Sequence, residues 1–383
     1  MSDNLFKDLA VEVFAEAADM LKTGESRKKV KVGLTTLGSE INPEELVRGA
    51  EIAMSKDAGL EVVIIGPAPE NCQLTVHEAN DEDAVHEVLE RLLDTKEVNG
   101  VVTMHYPFPI GVSTVGKVIT PARGKAMYIA TTTGTSDTDR IQGMVKNAVY
   151  GIAVAKADGI ANPRIAILNV DGARQVERHL NSMQEKGYEF TWGESQRADG
   201  GHVLRGNDLI TGSVDVVITD TLTGNILMKL FSSFNSGGSY ETIGFGYGPG
   251  VGDGFGRLIH IVSRASGTPV IEGAIEYCAA MVRGGLDKLK QQEIKSAEKA
   301  GWIVPVAKPA ESAADEEVVA PPTKVVDSQI PGIDILELED AVKVLWKKSI
   351  FASSGMGCTG PVILVAGEDK DKALEILKES GYL

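Results

Sequence analysis

The feature that most constrains this chain is its alternation of short β-branched runs with helix-patterned segments. Val30-Lys31-Val32-Gly33-Leu34 reads as a strand, residues 43–56 as a helix opened by Pro43, and Val62-Val63-Ile64-Ile65 as a second strand closed by Gly66-Pro67. A helix with Ala84, Val85, Val88, Leu89, Leu92 and Leu93 on one face follows, then a strand at 100–104. Tyr128-Ile129-Ala130 and a long helical pattern over 137–156 continue the scheme. Beyond Asn162-Pro163 it repeats: strand 164–169, a helix through 184, strand 214–219, a helix from Gly224, a glycine-rich loop, strand 258–262 and one helix over 269–290. Repeated strand–helix units with nearly continuous apolar strands predict a mainly parallel, doubly wound α/β/α sheet. Ligands in such sheets collect at the carboxyl ends of the strands. The Pro- and Gly-rich stretch 105–125 is too long for an ordinary connection and reads as functional.

Four segments are expected. Residues 1–29 place Phe6, Leu9, Val13, Ala17 and Met20 at helical spacing, an amphipathic first helix whose Asp3, Asp8, Glu12 and Glu16 are wrong for a signal peptide. Residues 30–302 form the main α/β domain, which the repeat would subdivide near 160. Residues 303–330 are a Pro-, Ala- and acid-rich linker around Asp315-Glu316-Glu317. Residues 331–383 form a small C-terminal α/β module, with strands at 334–338 and 361–366, helices at 339–348 and 370–379, and Cys358 in the turn between its halves.

Composition removes several function classes. A net charge of −16, with no basic stripe, argues against nucleic acid. No apolar run approaches the roughly 18 to 20 residues that span a bilayer, so no membrane partner is expected. Three scattered cysteines point to a reducing cytoplasm. With scattered histidines and no C-x-x-C, neither a metal nor another cofactor is expected, and G-x-G-x-x-G does not follow the first strand.

The chemistry-bearing residues lie in a few runs. Ser353-Ser354-Gly355-Met356-Gly357-Cys358-Thr359-Gly360-Pro361 surrounds a thiol with glycines and hydroxyls. Inward-turned amides there, at Gly357 and Thr359 among others, would favour a thiolate and hold an acyl oxyanion, making Cys358 an acyl-accepting nucleophile. The run equally fits a plain glycine-rich turn. A buried strand ends at Asp220, turns through Thr223 and Gly224, and opens a helix at Asn225 with Lys229 one turn on, a pattern suited to phosphate. It also fits Asp220 and Thr223 as simple caps with Lys229 on the surface. In the run 244–256, Gly248, Gly250 and Gly252 would permit close approach of phosphate or a pantetheine-like chain; a surface loop is the bland reading. Residues 131–136, Thr-Thr-Thr-Gly-Thr-Ser, are expected to end a strand and cap the next helix, and His260 to be a hydrogen-bonded core histidine.

Together the runs at 162–169, 215–229 and 247–252 resemble the phosphate acyltransferase family of bacterial phospholipid synthesis, related to the phosphotransacetylases. Asp220, Gly224, Asn225 and Lys229 match the family's Asp-Gly-Phe…Gly-Asn-x-x-x-Lys pattern, while Thr221-Leu222 replaces its Gly-Phe pair. The likeness covers about residues 30–289 and implies a phosphate acyltransferase-like fold, akin to isocitrate and isopropylmalate dehydrogenases. Thr35-Thr36-Leu37-Gly38-Ser39 and the appended Cys358 module depart from it. With the tail included, the chain resembles the alpha subunits of component C of the glycine/sarcosine/betaine reductase complex of anaerobic bacteria. That resemblance implies a hetero-oligomer. A ketoacyl-synthase-like beta subunit receives a two-carbon unit from the selenoprotein component A as an acetyl thioester. The alpha subunit then releases it to inorganic phosphate as acetyl phosphate, with Cys358 the reactive cysteine and Asn225 and Lys229 assisting. A lipid-synthesis acyltransferase with a docking tail, or a noncatalytic subunit that positions partners, fits the same sequence.

Overall fold

A computed structural model of the protein describes residues 29–198, 200–304, 318–334, 337–357 and 360–383. The expected helix within 1–29 and the residues Cys358 and Thr359 lie outside the described residues. The main body is one twelve-stranded sheet comprising β1 (Val30–Thr35), β2 (Leu60–Ile65), β3 (Thr75–His77), β4 (Gly100–Thr103), β5 (Val112–Ile119), β6 (Ala126–Thr135), β7 (Arg164–Leu168), β8 (Thr191–Trp192), β9 (Val203–Leu204), β10 (Val216–Ile218), β11 (Gly248–Val251) and β12 (Ile259–Ile261). Its order is β3-β2-β1-β4-β12-β11-β5-β6-β10-β7-β8, with β9 also on β7. Strands β3, β2, β1, β4 and β12 run parallel, as do β6, β10, β7, β8 and β9. Between the two sets, the pairs β12–β11, β11–β5 and β5–β6 are all antiparallel. Three reversals make the second parallel set point opposite to the first. The sheet therefore has two carboxyl ends, at opposite edges of the molecule.

Alternation along each strand fills both faces. Val32, Leu34, Ile64 and Val102 pack on one face, and Tyr128, Ala130, Ile165 and Val216 continue it. Val63, Ile65, Val101, Ile129 and Val217 fill the other. The fold is the mainly parallel, doubly wound α/β/α sheet that the strand–helix alternation predicts.

Several local expectations change. The stretch 105–125 is not a long functional loop, because it contains β5. Gly116 lets that strand pass under the helix Thr221–Ser233, since a Cβ there would lie 2.7 Å from Met228 Sδ. Thr131 to Thr135 continue β6 instead of capping a helix; the cap is Asp139, whose carboxylate accepts from Gln142 N–H at 2.7 Å. The single helix over 269–290 is two, Thr268–Arg283 and Leu286–Lys299, broken at Gly284-Gly285, where Gly285 takes φ 65°. In the C-terminal module a three-stranded antiparallel sheet has the order β13 (Ser328–Pro331), β15 (Gly360–Val365), β14 (Ala352–Gly357), with the helices Leu338–Lys347 and Lys370–Glu379. The strand expected at 334–338 is overturned at Leu338, which begins a helix; the additional strand is β13, at the end of the expected linker. The glycine-rich run before Cys358 is also strand: Gly355 is in register with Val362.

Candidate functional site

The residues expected to cradle phosphate do different work at the carboxyl end of β10. The helix Thr221–Ser233 starts three residues earlier than Gly224, because Asp220 caps it. The Asp220 carboxylate accepts from Thr223 N–H at 3.0 Å and from the Thr223 hydroxyl at 2.7 Å, and Arg140 Nη2 stands 3.3 Å away. A carboxylate thus already occupies the positive end of the helix. Gly224 N–H donates to Asp220 O at 3.0 Å, and a Cβ on Gly224 would lie 1.7 Å from Thr131 O. Asn225 Nδ2 donates to Thr132 O at 3.0 Å. Asp220 and Thr223 therefore cap this helix, while Gly224 and Asn225 fit it against β6.

Gly248, Gly250 and Gly252 are likewise absorbed by packing, while Gly254 and Gly256 face open space. A Cβ at Gly248 would lie 1.8 Å from Val115 O, at Gly250 2.4 Å from the Phe108 ring, and at Gly252 2.6 Å from Gly111 O. They let β11 insert between β5 and β12, so the centre of this run is a buried strand, and only its end, from Asp253 on, lies at the surface. His260, on β12, is fully buried and edge-on to Tyr277 at 5.1 Å between ring centroids, a core residue as expected, but neither ring nitrogen finds a hydrogen-bond partner among the described residues. Burial pushes its pKa down to about 3, so it is neutral at physiological pH.

Lys229 belongs to the opposite end of the sheet, where β1, β4 and β12 terminate. It is exposed and makes no salt bridge among the described residues; its Nζ stands 5.6 Å from the Tyr247 ring centre. The Tyr247 hydroxyl donates to Glu241 Oε1 at 2.9 Å, and the Ser266 hydroxyl to Glu241 Oε2 at 3.2 Å. Burial raises the pKa of the Glu241 carboxyl above its ordinary 4.5, opposed by the Tyr247 hydroxyl, Lys229, Ser266 and Ser263. A carboxyl with a raised folded pKa costs stability while ionised, and that cost is relieved as pH falls through the raised value toward the ordinary one. Relative to wild type, Glu241→Gln is therefore expected to be most stable at neutral pH, its advantage shrinking in thermal melts run at successively lower pH.

Ser266 lies in the loop after β12, whose residues 263–267 hold one another. Ser263 N–H donates to Ser266 Oγ at 3.0 Å and Ala265 N–H to Ser263 Oγ at 3.1 Å. The loop opens the helix Thr268–Arg283, with Pro269 in its first turn. On the far side of the loop, Arg264 lines a cleft with Thr35, Gly38, His86, Thr103 and His105. The Thr35 hydroxyl donates to Thr103 Oγ1 at 3.0 Å, and the His86 and His105 rings are 5.9 Å apart. Arg264 meets Glu82 at only 3.5 Å, with both side chains more than half exposed. Arg264 is part of this hydroxyl-bearing loop, and Lys229 stands near Tyr247 and near Glu241, which binds Ser266. Both cations are weakly neutralised, and cations at strand carboxyl ends suit an oxyanion. Sequence reasoning missed Arg264, Ser263, Ser266 and Glu241. The available signal was Ser263-Arg264-Ala265-Ser266-Gly267-Thr268-Pro269, a hydroxyl-rich strand-to-helix turn around one arginine.

Residues 30–364 match the model of a family described as fatty acid synthesis protein. The chain is also 51% identical over 387 residues, spanning all of both proteins, to the glycine/sarcosine/betaine reductase complex component C subunit alpha of Peptoclostridium acidaminophilum. The chain belongs to the fatty acid synthesis protein family and to that of the component C alpha subunits. It is 27% identical over 233 residues to a phosphate acyltransferase of Thermotoga neapolitana, covering 52% of this chain and 68% of that one. A branched-chain phosphotransacylase from Enterococcus faecalis V583 aligns with a TM-score of 0.47 at 17% identity, over 66% of this chain and 99% of that chain.

The C-terminal module meets the main body at Arg178, whose Nη2 lies 2.5 Å from Glu337 Oε2 and whose Nη1 donates to Tyr382 O at 3.4 Å. Arg178 lies on the helix Ala173–Glu185, which follows β7. No helix among the described residues is long and apolar enough to cross a membrane.

Proposed function

We propose that this chain moves an acetyl group from a protein-bound thioester to inorganic phosphate, as a subunit of a glycine/sarcosine/betaine reductase complex. The observation that carries the reading is the end-to-end match to a component C alpha subunit. The weakly neutralised cations Lys229 and Arg264 at the strand ends support it. The Cys358 thiolate attacks the donor thioester carbonyl; the C–S bond to the donor breaks and the donor thiolate leaves, taking up a proton. A phosphate oxygen then attacks the Cys358 thioester, forming the C–O bond of acetyl phosphate and releasing the Cys358 thiolate. No oxidant or reductant enters. Lys229 and Arg264 hold the phosphate, and the segment 303–330 tethers the module so that its transfer is intramolecular. The donor is carried by a ketoacyl-synthase-like beta subunit.

Lys229→Ala and Arg264→Ala are each expected to raise the phosphate KM roughly tenfold or more, the usual scale for one charged hydrogen bond. Initial rates of acetyl phosphate formation against phosphate concentration measure this; an unchanged KM in both variants places the phosphate elsewhere. Peptide mass spectrometry after exposure to an acetyl thioester tests the carrier step. Cys358 alone should gain an acetyl group and lose it when phosphate is added; acetylation confined to other residues overturns the reading.

A further inference from the structure

A cavity of about 670 Å³ opens at the edge of the sheet opposite Arg264. It lies between the end of the helix Glu82–Asp94, the approach to β12, and the break between the helices Thr268–Arg283 and Leu286–Lys299. Its floor is apolar, lined by Leu93, Val98, Met281 and Leu286, of which the last three are buried. Four cations line it as well, in a chain whose net charge is −16. Arg257 is held by Asp94 at 2.9 Å, and Lys290 by Asp287 at 2.8 Å. Lys96 and Lys288 are exposed and make no ion pair among the described residues. Lys96 takes φ 60°, a conformation that favours glycine, so a cation is set here against the preference of its backbone.

We infer that this cavity seats the chain's own N-terminal segment, residues 5–20, as an amphipathic helix. The point of attachment is adjacent. β1 starts at Val30, and Lys31 N–H donates at 2.8 Å to Oδ1 of Asn99, which lines the cavity. Residues 21–28, with Gly24 among them, extend over as much as roughly 28 Å, ample to turn the segment back onto a neighbouring cavity. The side chains are complementary. Phe6, Leu9, Val13, Ala17 and Met20 form one stripe, suited to the apolar floor. Asp8, Glu12, Glu16 and Asp19 fall along one flank of that stripe, where Lys96 and Lys288 supply the opposite charge. A small anion fits less well. A pocket for one presents polar groups that converge on it. Here Asn99 Oδ1 is taken by the backbone of β1, and Arg257 and Lys290 are already paired.

Amide hydrogen exchange of the full-length chain, read peptide by peptide in a mass spectrometer, tests this. Residues 5–20 should exchange at least roughly tenfold more slowly than an open coil. Phe6→Ser with Leu9→Ser, outside the main core, should abolish that protection and speed exchange at 95–99 and 284–288. Lys96→Glu with Lys288→Glu should do the same, and both positions are exposed, so the main body keeps its core. Adding Glu12→Lys with Glu16→Lys to that reversal should restore the protection, a rescue that loss of folding would not give. Wild-type residues 5–20 that exchange as a coil overturn the proposal. So does protection indifferent to the reversal at Lys96 and Lys288, because the segment then sits elsewhere, and so does a reversal that the swap fails to rescue. Exchange at 95–99 and 284–288 that ignores Phe6→Ser with Leu9→Ser also overturns it, since the cavity is then open to another occupant, such as a small organic anion. The readout is exchange, so its outcome is independent of whether acetyl transfer is the reaction.

Discussion

Replacing Cys358 with alanine is expected to lower acetyl phosphate formation by the assembled complex at least 10³-fold while leaving phosphate binding to the main body unchanged. The size follows from the role. A covalent carrier splits one difficult transfer into two easier ones, and removing the nucleophile of such a relay costs far more than removing one hydrogen bond; loss of a serine-protease nucleophile costs about 10⁶ in kcat. Here phosphate could still attack the donor thioester directly, which sets the residual rate. Cys358→Ser distinguishes sulfur chemistry from mere position. A serine hydroxyl is barely ionised at neutral pH, whereas an unperturbed thiol has a pKa of about 8.5. The serine variant should therefore accept acetyl slowly and, as an oxygen ester, release it more slowly still. Coupled assays of the complex with each variant, at saturating phosphate, measure both effects. Turnover that survives Cys358→Ala would mean that the main body receives the acetyl group without the tail, and that the module serves docking alone.

What the sequence made legible followed from periodicity. The helix at 43–56 coincides with its predicted bounds because Pro43 fixes the start and the apolar stripe ends at Lys56. The strands at 30 and 164 set Val30, Val32 and Leu34, and Ile165, Ile167 and Leu168, between polar breaks, and nothing competes with that signal. What was illegible is strand built from glycine. In β11, Gly248-Pro249-Gly250-Val251 has almost no side-chain pattern, and its place in the sheet comes from how closely Val115 and Phe108 approach it. Those contacts are distant in sequence. β14, at Ala352–Gly357, was hidden in the same way.

The site shows the same division. Lys229 was visible because it follows Asn225 by one helical turn, but its neighbours Glu241, Tyr247 and Ser266 reach it through sheet order. Cap chemistry was the stronger signal at Asp220: an Asp followed three residues later by a threonine donor starts a helix, and it does so here. The expectation of an anion site there stood beside the reading of Asp220 and Thr223 as caps, and the hydrogen bonds follow the caps. Arg264 was passed over because one arginine in a turn carries no periodicity, although it follows a buried strand and precedes a proline-opened helix.

Gly224→Ala should be among the most damaging single substitutions in the main body, lowering stability by about 4 kcal/mol or more. Its Cβ would lie 1.7 Å from Thr131 O, an atom of the central strand β6 that cannot rotate away as a flexible side chain would. Relief requires the whole helix Thr221–Ser233 to lift from the sheet, exposing Met228 and Phe231 and breaking the Asn225 hydrogen bond to Thr132 O. Asn225→Ala, by contrast, removes that bond alone and should cost about 1 kcal/mol. Thermal and urea melts of the two variants separate a packing role from a ligand-binding role. If Gly224 serves the junction with β6, its alanine variant unfolds at much lower temperature whether or not phosphate is present. If instead Gly224→Ala melts like wild type and loses only phosphate affinity, the helix start is a ligand cradle after all, and the site belongs at the carboxyl end of β10 instead of beside Arg264.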